Sequence, residues 1–190
     1  MRAMKKTIGS AAVKATLIGA MTVAALAGGT AHAVTQGTLG ATSTGSVVIT
    51  ASVPARARIT GLADVAFTLQ DPNTTASNAQ SVCVWSNTST KGYNVTATGS
   101  GTASAFTLAN GALTVPYSVA WNAASGQTSG TALATGAASA NLLSTATQQT
   151  CSTGVTTTSS LVVGISTTDL GAMQATTTYT GTLTLVVAPV

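Results

Sequence analysis

The chain has 190 residues, of which only ten are charged, seven Lys or Arg and three Asp, with a single histidine and no glutamate. Past residue 33 the charges thin out to Arg56, Arg58, Asp64, Asp71, Lys91 and Asp169. General acid/base work draws on His or a perturbed carboxylate, and first-row metals draw on His, Cys or carboxylate clusters, so the chain is expected to be no enzyme and to take no cofactor or metal.

In chain order, the first predicted element is a leader. Arg2, Lys5 and Lys6 make a basic start, an apolar stretch runs from Ala15 to Ala27, and Ala31-His32-Ala33 supplies a small-x-small cleavage pattern. The competing reading is a membrane anchor, but a span takes ~20 apolar residues and this stretch is shorter, with Lys14 before it and Gly28-Gly29 after it. The expectation is a signal peptide over 1–33, cleaved on export, with no Cys at the new N-terminus to carry a lipid. Cleavage removes Arg2, Lys5, Lys6, Lys14 and His32 and leaves three positive charges against three negative. The sequence pI of about 9.4 then belongs to the precursor. No basic surface for nucleic acid remains, no small-molecule substrate is expected, and a near-neutral chain has little long-range repulsion between its copies.

Residues 34–190 suffice for one domain with a core. They are rich in Thr, Ala, Ser, Gly and Val, and period-two runs recur along them while helical periodicity does not. Val47, Ile49, Ala51 and Val53 alternate with Ser46, Thr50 and Ser52; Tyr93, Val95 and Ala97 with Asn94, Thr96 and Thr98; Tyr117, Val119 and Trp121 with Ser118, Ala120 and Asn122. Leu161, Val163 and Ile165 make a fourth run. Tyr179, Leu183, Leu185 and Val187 face away from Thr180, Thr182 and Thr184 in a fifth. Strands with one wet and one dry face predict an all-β antiparallel sandwich. Asn122 to about Thr158 offers little core and is expected to be long surface loops with one or two weak strands.

Cys83 and Cys151 are an even pair in a chain expected to be exported, which predicts one structural disulfide. Asn73, Asn87 and Asn94 head glycosylation sequons, which chance explains in so Thr-rich a chain. Arg56 and Arg58, two residues apart on a strand, either bind an anion or share a solvated face. Asp71-Pro72-Asn73 predicts a turn. No base stands ready for a Ser nucleophile beyond Lys91 alone. Trp85 and Trp121 either stack on a sugar or belong to the core. An outer-membrane barrel would need two aromatic girdles, for which this chain has too few rings.

The order of these pieces resembles the spore-coat-U type of pilin domain found in archaic chaperone-usher fimbriae of Gram-negative bacteria. The matching stretches are TGSVVITASVPARARITGLADVAFT (Thr44 to Thr68), VCVWSNTSTKGYNVTATGSG (Val82 to Gly101), VPYSVAWN (Val115 to Asn122) and YTGTLTLVVAP (Tyr179 to Pro189). Where the family commonly has a Cys in its first core strand this chain has Pro54 to Arg58, so that bridge does not carry over. The resemblance implies an immunoglobulin-like sandwich over residues 54–190 that lacks its last strand, with 34–53 as an N-terminal extension. A periplasmic chaperone fills the open groove first, and the extension of the next subunit replaces it by donor-strand exchange at an outer-membrane usher. It maps the donor strand onto Val47, Ile49, Ala51 and Val53 and the acceptor-groove edge onto Tyr179, Leu183, Leu185 and Val187. The alternative for Ser46 to Val53 is the first strand of a complete sandwich. The implied function is a structural subunit of an extracellular, cell-surface fimbria for adhesion and biofilm formation, with copies of itself or sister pilins as partners. The alternative function is a secreted monomeric carbohydrate-binding sandwich.

Overall fold

The computed structural model describes residues 34–190, so the expected leader lies outside the described residues. They divide into an N-terminal unit, described over 34–51, and a unit Ser52–Val190. In the first, Thr35 and Ser46 form an antiparallel bridge through hydrogen bonds of 3.1 and 2.9 Å. The alternating run that begins at Ser46 forms no further strand, and the side chains of Val47, Ile49, Ala51 and Val53 are exposed. Alternation selects an apolar face, but a strand exists only where a neighbour takes its N–H and C=O groups.

The second unit is an antiparallel β-sandwich. Its strands are β1 (Ala57–Thr60), β2 (Ala76–Ser86), β3 (Gly92–Gly99), β4 (Thr107–Asn110), β5 (Leu113–Pro116), β6 (Ser118–Asn122), β7 (Thr131–Ala132), β8 (Leu142–Leu143), β9 (Ser159–Ile165) and β10 (Leu183–Pro189). One sheet runs β1-β2-β9-β6-β7, the other β10-β3-β8, and β4 and β5 form a hairpin. Inward residues of both sheets share one core that includes Val82, Val84, Tyr93, Val95, Trp121 and Ile165. The expected alternation of β3, β6 and β9 is therefore observed. The loop region past Asn122 contributes only the two-residue strands β7 and β8.

Two features depart from the sequence pattern. The fifth run is a strand only from Leu183 onward: Thr180 pairs instead with Ala109 of the hairpin through bonds of 2.8 and 2.9 Å, and Gly181 lies so close to β4 that a Cβ there would sit 2.8 Å from the Thr107 carbonyl. A short helix α1 (Thr167–Gly171), too brief to show periodicity, follows β9; Ser166 caps it by accepting from the Asp169 N–H.

Several hydroxyl groups are carried into the interior and find partners there. Tyr93 Oη lies 2.8 Å from Ser159 Oγ and accepts from Trp121 Nε1 at 3.3 Å. Thr158 Oγ1 accepts from the Val84 N–H at 2.9 Å, and Ser144 donates to the Val84 carbonyl. The Cys83–Cys151 disulfide, with Cα atoms 6.4 Å apart, ties the loop around Ala146 to the outer face of β2, where Trp85 covers it in part.

Candidate functional site

The edge of the sandwich beside β1 and β10 is open. β1 hydrogen-bonds only to β2, over Thr60 to Ala57 against Cys83 to Ser86. At Gly61 the backbone takes φ 83°, a conformation that favours glycine, and the chain peels away from β2. Residues 62–70 then run along the edge without joining a strand. Their one tie to β2 is a side chain. Gln80 accepts from the Ala63 N–H at 2.8 Å and donates to the Ala63 carbonyl at 3.1 Å, so its amide stands in for a missing backbone pair. Val65 and Phe67 turn inward against the core, while Leu69, at φ 53°, is fully exposed.

Opposite this wall stands the segment from Gln174 to Leu185, which ends in β10. That strand pairs with β3 alone, through Leu183↔Gly99 to Pro189↔Tyr93, and its other edge has no ladder. Between the walls lies a groove of about 1090 Å³, floored by Leu161, Val163 and Ile165 of β9 with Leu108, Tyr117 and Leu170. Residues of β1 and β10 approach within 8 Å of one another, and Gln70 and Leu170 are among the residues that line the groove. The four residues mapped onto a groove edge divide here. Tyr179, Leu183 and Leu185 line the groove, whereas Val187 packs on the core outside the lining. Tyr179 is buried, its hydroxyl accepting from the Gln174 N–H at 3.2 Å.

Tyr117 is the odd member of the floor. Its ring lies 5.7 Å from that of Phe106, yet its buried hydroxyl has no hydrogen-bond partner. Desolvation raises the phenol above its ordinary value of 10.0. Apart from this group and Asp64, the lining is aliphatic, aromatic, thioether, amide or hydroxyl, and among the described residues no three His, Cys, Asp or Glu gather in one place. The groove therefore offers apolar contact and unpaired backbone edges rather than reactive groups.

Other predicted residues fall elsewhere. Arg56 and Arg58 are exposed, and Asp71 forms the expected turn, accepting from the Asn73 N–H at 2.9 Å. Trp121 is core, and Trp85 is half-buried on the disulfide. Asn87 has a structural job: Oδ1 accepts from the Arg56 N–H at 2.6 Å and Nδ2 donates to the Pro54 carbonyl at 2.9 Å, pinning the start of the first strand. Gln80, Gly61, Val65 and Phe67 build the groove unforeseen; the Val65-x-Phe67 alternation was their one visible signal. Among the described residues no helix is long and apolar enough to cross a membrane. No protein-family model matches the chain, and no curated protein matches it with significant similarity.

Proposed function

We propose that the protein is a structural subunit of a bacterial surface fimbria, exported with loss of its leader, received by a periplasmic chaperone, and assembled at an outer-membrane usher by donor-strand exchange for adhesion and biofilm formation. The observation that carries this reading is the open groove. It has an apolar floor and two walls whose facing backbone lacks ladder partners, which is the shape left when one strand of a sandwich is missing. Residues 62–70 along the edge join no strand, and the eight-residue run from Ser46 to Val53, at ~3.3 Å per residue, would extend ~26 Å beside it. Val47, Ile49 and Val53 are 66%, 87% and 80% exposed, and burial in a neighbour's groove would stabilise the pair by roughly 1.5–3 kcal/mol for each side chain. A carbohydrate-binding module would rest on exposed aromatic faces, and the two tryptophans are committed to the core and to the disulfide.

The test is Ile49→Asp. A carboxylate in an apolar pocket must stay charged and unpaired or take up a proton at a cost. Export and chaperone binding are expected to be normal, because the chaperone fills the groove and does not use this segment, while electron microscopy of producing cells shows no filaments. Normal fibres from Ile49→Asp cells overturn the donor assignment. Failure to fold even with a chaperone makes Ser46 to Val53 an internal strand.

A further inference from the structure

Five of the six charged side chains of residues 34–190 are sorted to the two ends of the strand axis. The β1–β2 register puts Arg58 opposite Trp85, and Arg56 is bonded to Asn87, so both sit at the C-terminal end of β2. Lys91 occupies the turn just beyond, its N–H donating to the Thr88 carbonyl at 2.9 Å. At the other end of β2, Ala76 pairs with Ile165. Immediately past those residues come the turn at Asp71, whose carbonyl accepts from Thr74 at 3.0 Å, and Asp169 in α1. The 11 residues of β2 separate the two groups by ~35 Å. Asp64 lies between them, next to the Ala63–Gln80 tie.

We propose that these two poles are a docking contact between copies of the chain, with the Arg56, Arg58 and Lys91 end of one copy seated on the Asp71 and Asp169 end of the next. At this distance the charges do not neutralise one another within a copy, since the screening length is ~10 Å at 0.1 M salt. The balance of three positive and three negative charges removes net repulsion, and Asp64 is the one charged side chain of residues 34–190 that lies between the poles. A contact between two different patches of the same surface is head-to-tail and propagates instead of closing.

The inference deepens the fimbrial reading and takes its setting from it. Asn87 holds Pro54 and Arg56 at the basic pole, and the groove-lining residues Gln70 and Leu170 are the chain neighbours of Asp71 and Asp169 at the acidic pole. In copies docked pole to pole, the residues ahead of Pro54 in one copy arrive at the mouth of the next copy's groove. The poles steer and orient; the strand locks.

The experiment uses Ile49→Asp protein purified from producing cells, so that strand exchange does not mask the weaker contact. Self-association is followed by sedimentation and light scattering at 0.1 M and 1 M salt. Exchanging one charge between poles, Arg56→Asp with Asp71→Arg, keeps the net charge and weakens both poles; Arg58→Asp with Asp169→Arg repeats the exchange with a second residue at each pole. Association is expected to fall roughly tenfold from low to high salt, and roughly as far at low salt in each exchange variant. Association indifferent to salt and to both exchanges overturns the contact. Fibres that still form in the Ile49→Asp background overturn the donor assignment instead, and the poles are then judged by whether the exchanges slow fibre growth.

Discussion

The hydroxyls of Tyr117 and Tyr93 show how the same atom in two interiors has opposite consequences. Tyr93 Oη sits between Ser159 and Trp121 and satisfies both. Tyr93→Phe would orphan the Trp121 N–H in a fully buried place, and equilibrium denaturation is expected to show a loss of roughly 1–3 kcal/mol. Tyr117 Oη is buried without a partner, so Tyr117→Phe keeps the shape, removes an unmet desolvation cost and is expected to raise stability by about 1 kcal/mol. The pH dependence follows in sign. Burial favours the protonated phenol and raises its pKa above 10.0, so the unfolded chain gives up this proton first and the folded state loses stability as pH climbs past 10. Tyr117→Phe is expected to flatten that alkaline decline relative to the parent, measured by denaturation at pH values on either side of 10.

Among the elements, the wall at residues 62–70 depends on the Gln80 amide. Gln80→Ala removes its tie to Ala63, and hydrogen exchange at the Ala63 amide is expected to speed up markedly while amides in β9 and β3 are unchanged. Equal acceleration across the sheet would mean that the wall and core open together. Of the strands that could be read in advance, β3, β6 and β9 have partners on both sides, and β10, which alternates from Leu183 to Val187, has one. The Ser46 to Val53 run alternates as well but adds no strand beyond its bridge, because periodicity reports which face is apolar and not whether a neighbour is present. The β4–β5 hairpin closes through the two-residue loop Gly111-Ala112, with Gly111 at φ 57°. Gln80 gave no signal, since a side chain imitating a backbone pair needs the tertiary fold to bring it to Ala63.

For the whole molecule, the sandwich architecture and the disulfide were legible because composition, alternation and cysteine parity point the same way. The open edge was not legible in composition or alternation, for it is set by where β1 ends at Gly61 and where β10 begins after Gly181, two glycines that look ordinary in a chain with 19 of them. An apolar groove of this size beside unpaired edges is expected to make the purified protein bind hydrophobic dyes while fully folded, and binding should vanish when a peptide of residues 46–53 is added. Dye binding that persists with saturating peptide would place the exposed apolar surface elsewhere.

The clamp at Asn87 and the bridge at Cys83 also set how the molecule bears tension. A pull on the amino end reaches the sandwich at Pro54 and Arg56, passes into the four-residue ladder of β1, and meets the covalent bridge where Thr60 lies opposite Cys83. Beyond that point the chain between Cys83 and Cys151 is closed into a loop with a sequence separation of 68 and does not extend however hard it is pulled. Stretched singly by force spectroscopy, the oxidised molecule is expected to pay out ~240 Å less chain than the reduced one, at ~3.5 Å per residue. A filament of such subunits would lengthen under load only by what its uncrosslinked ends release.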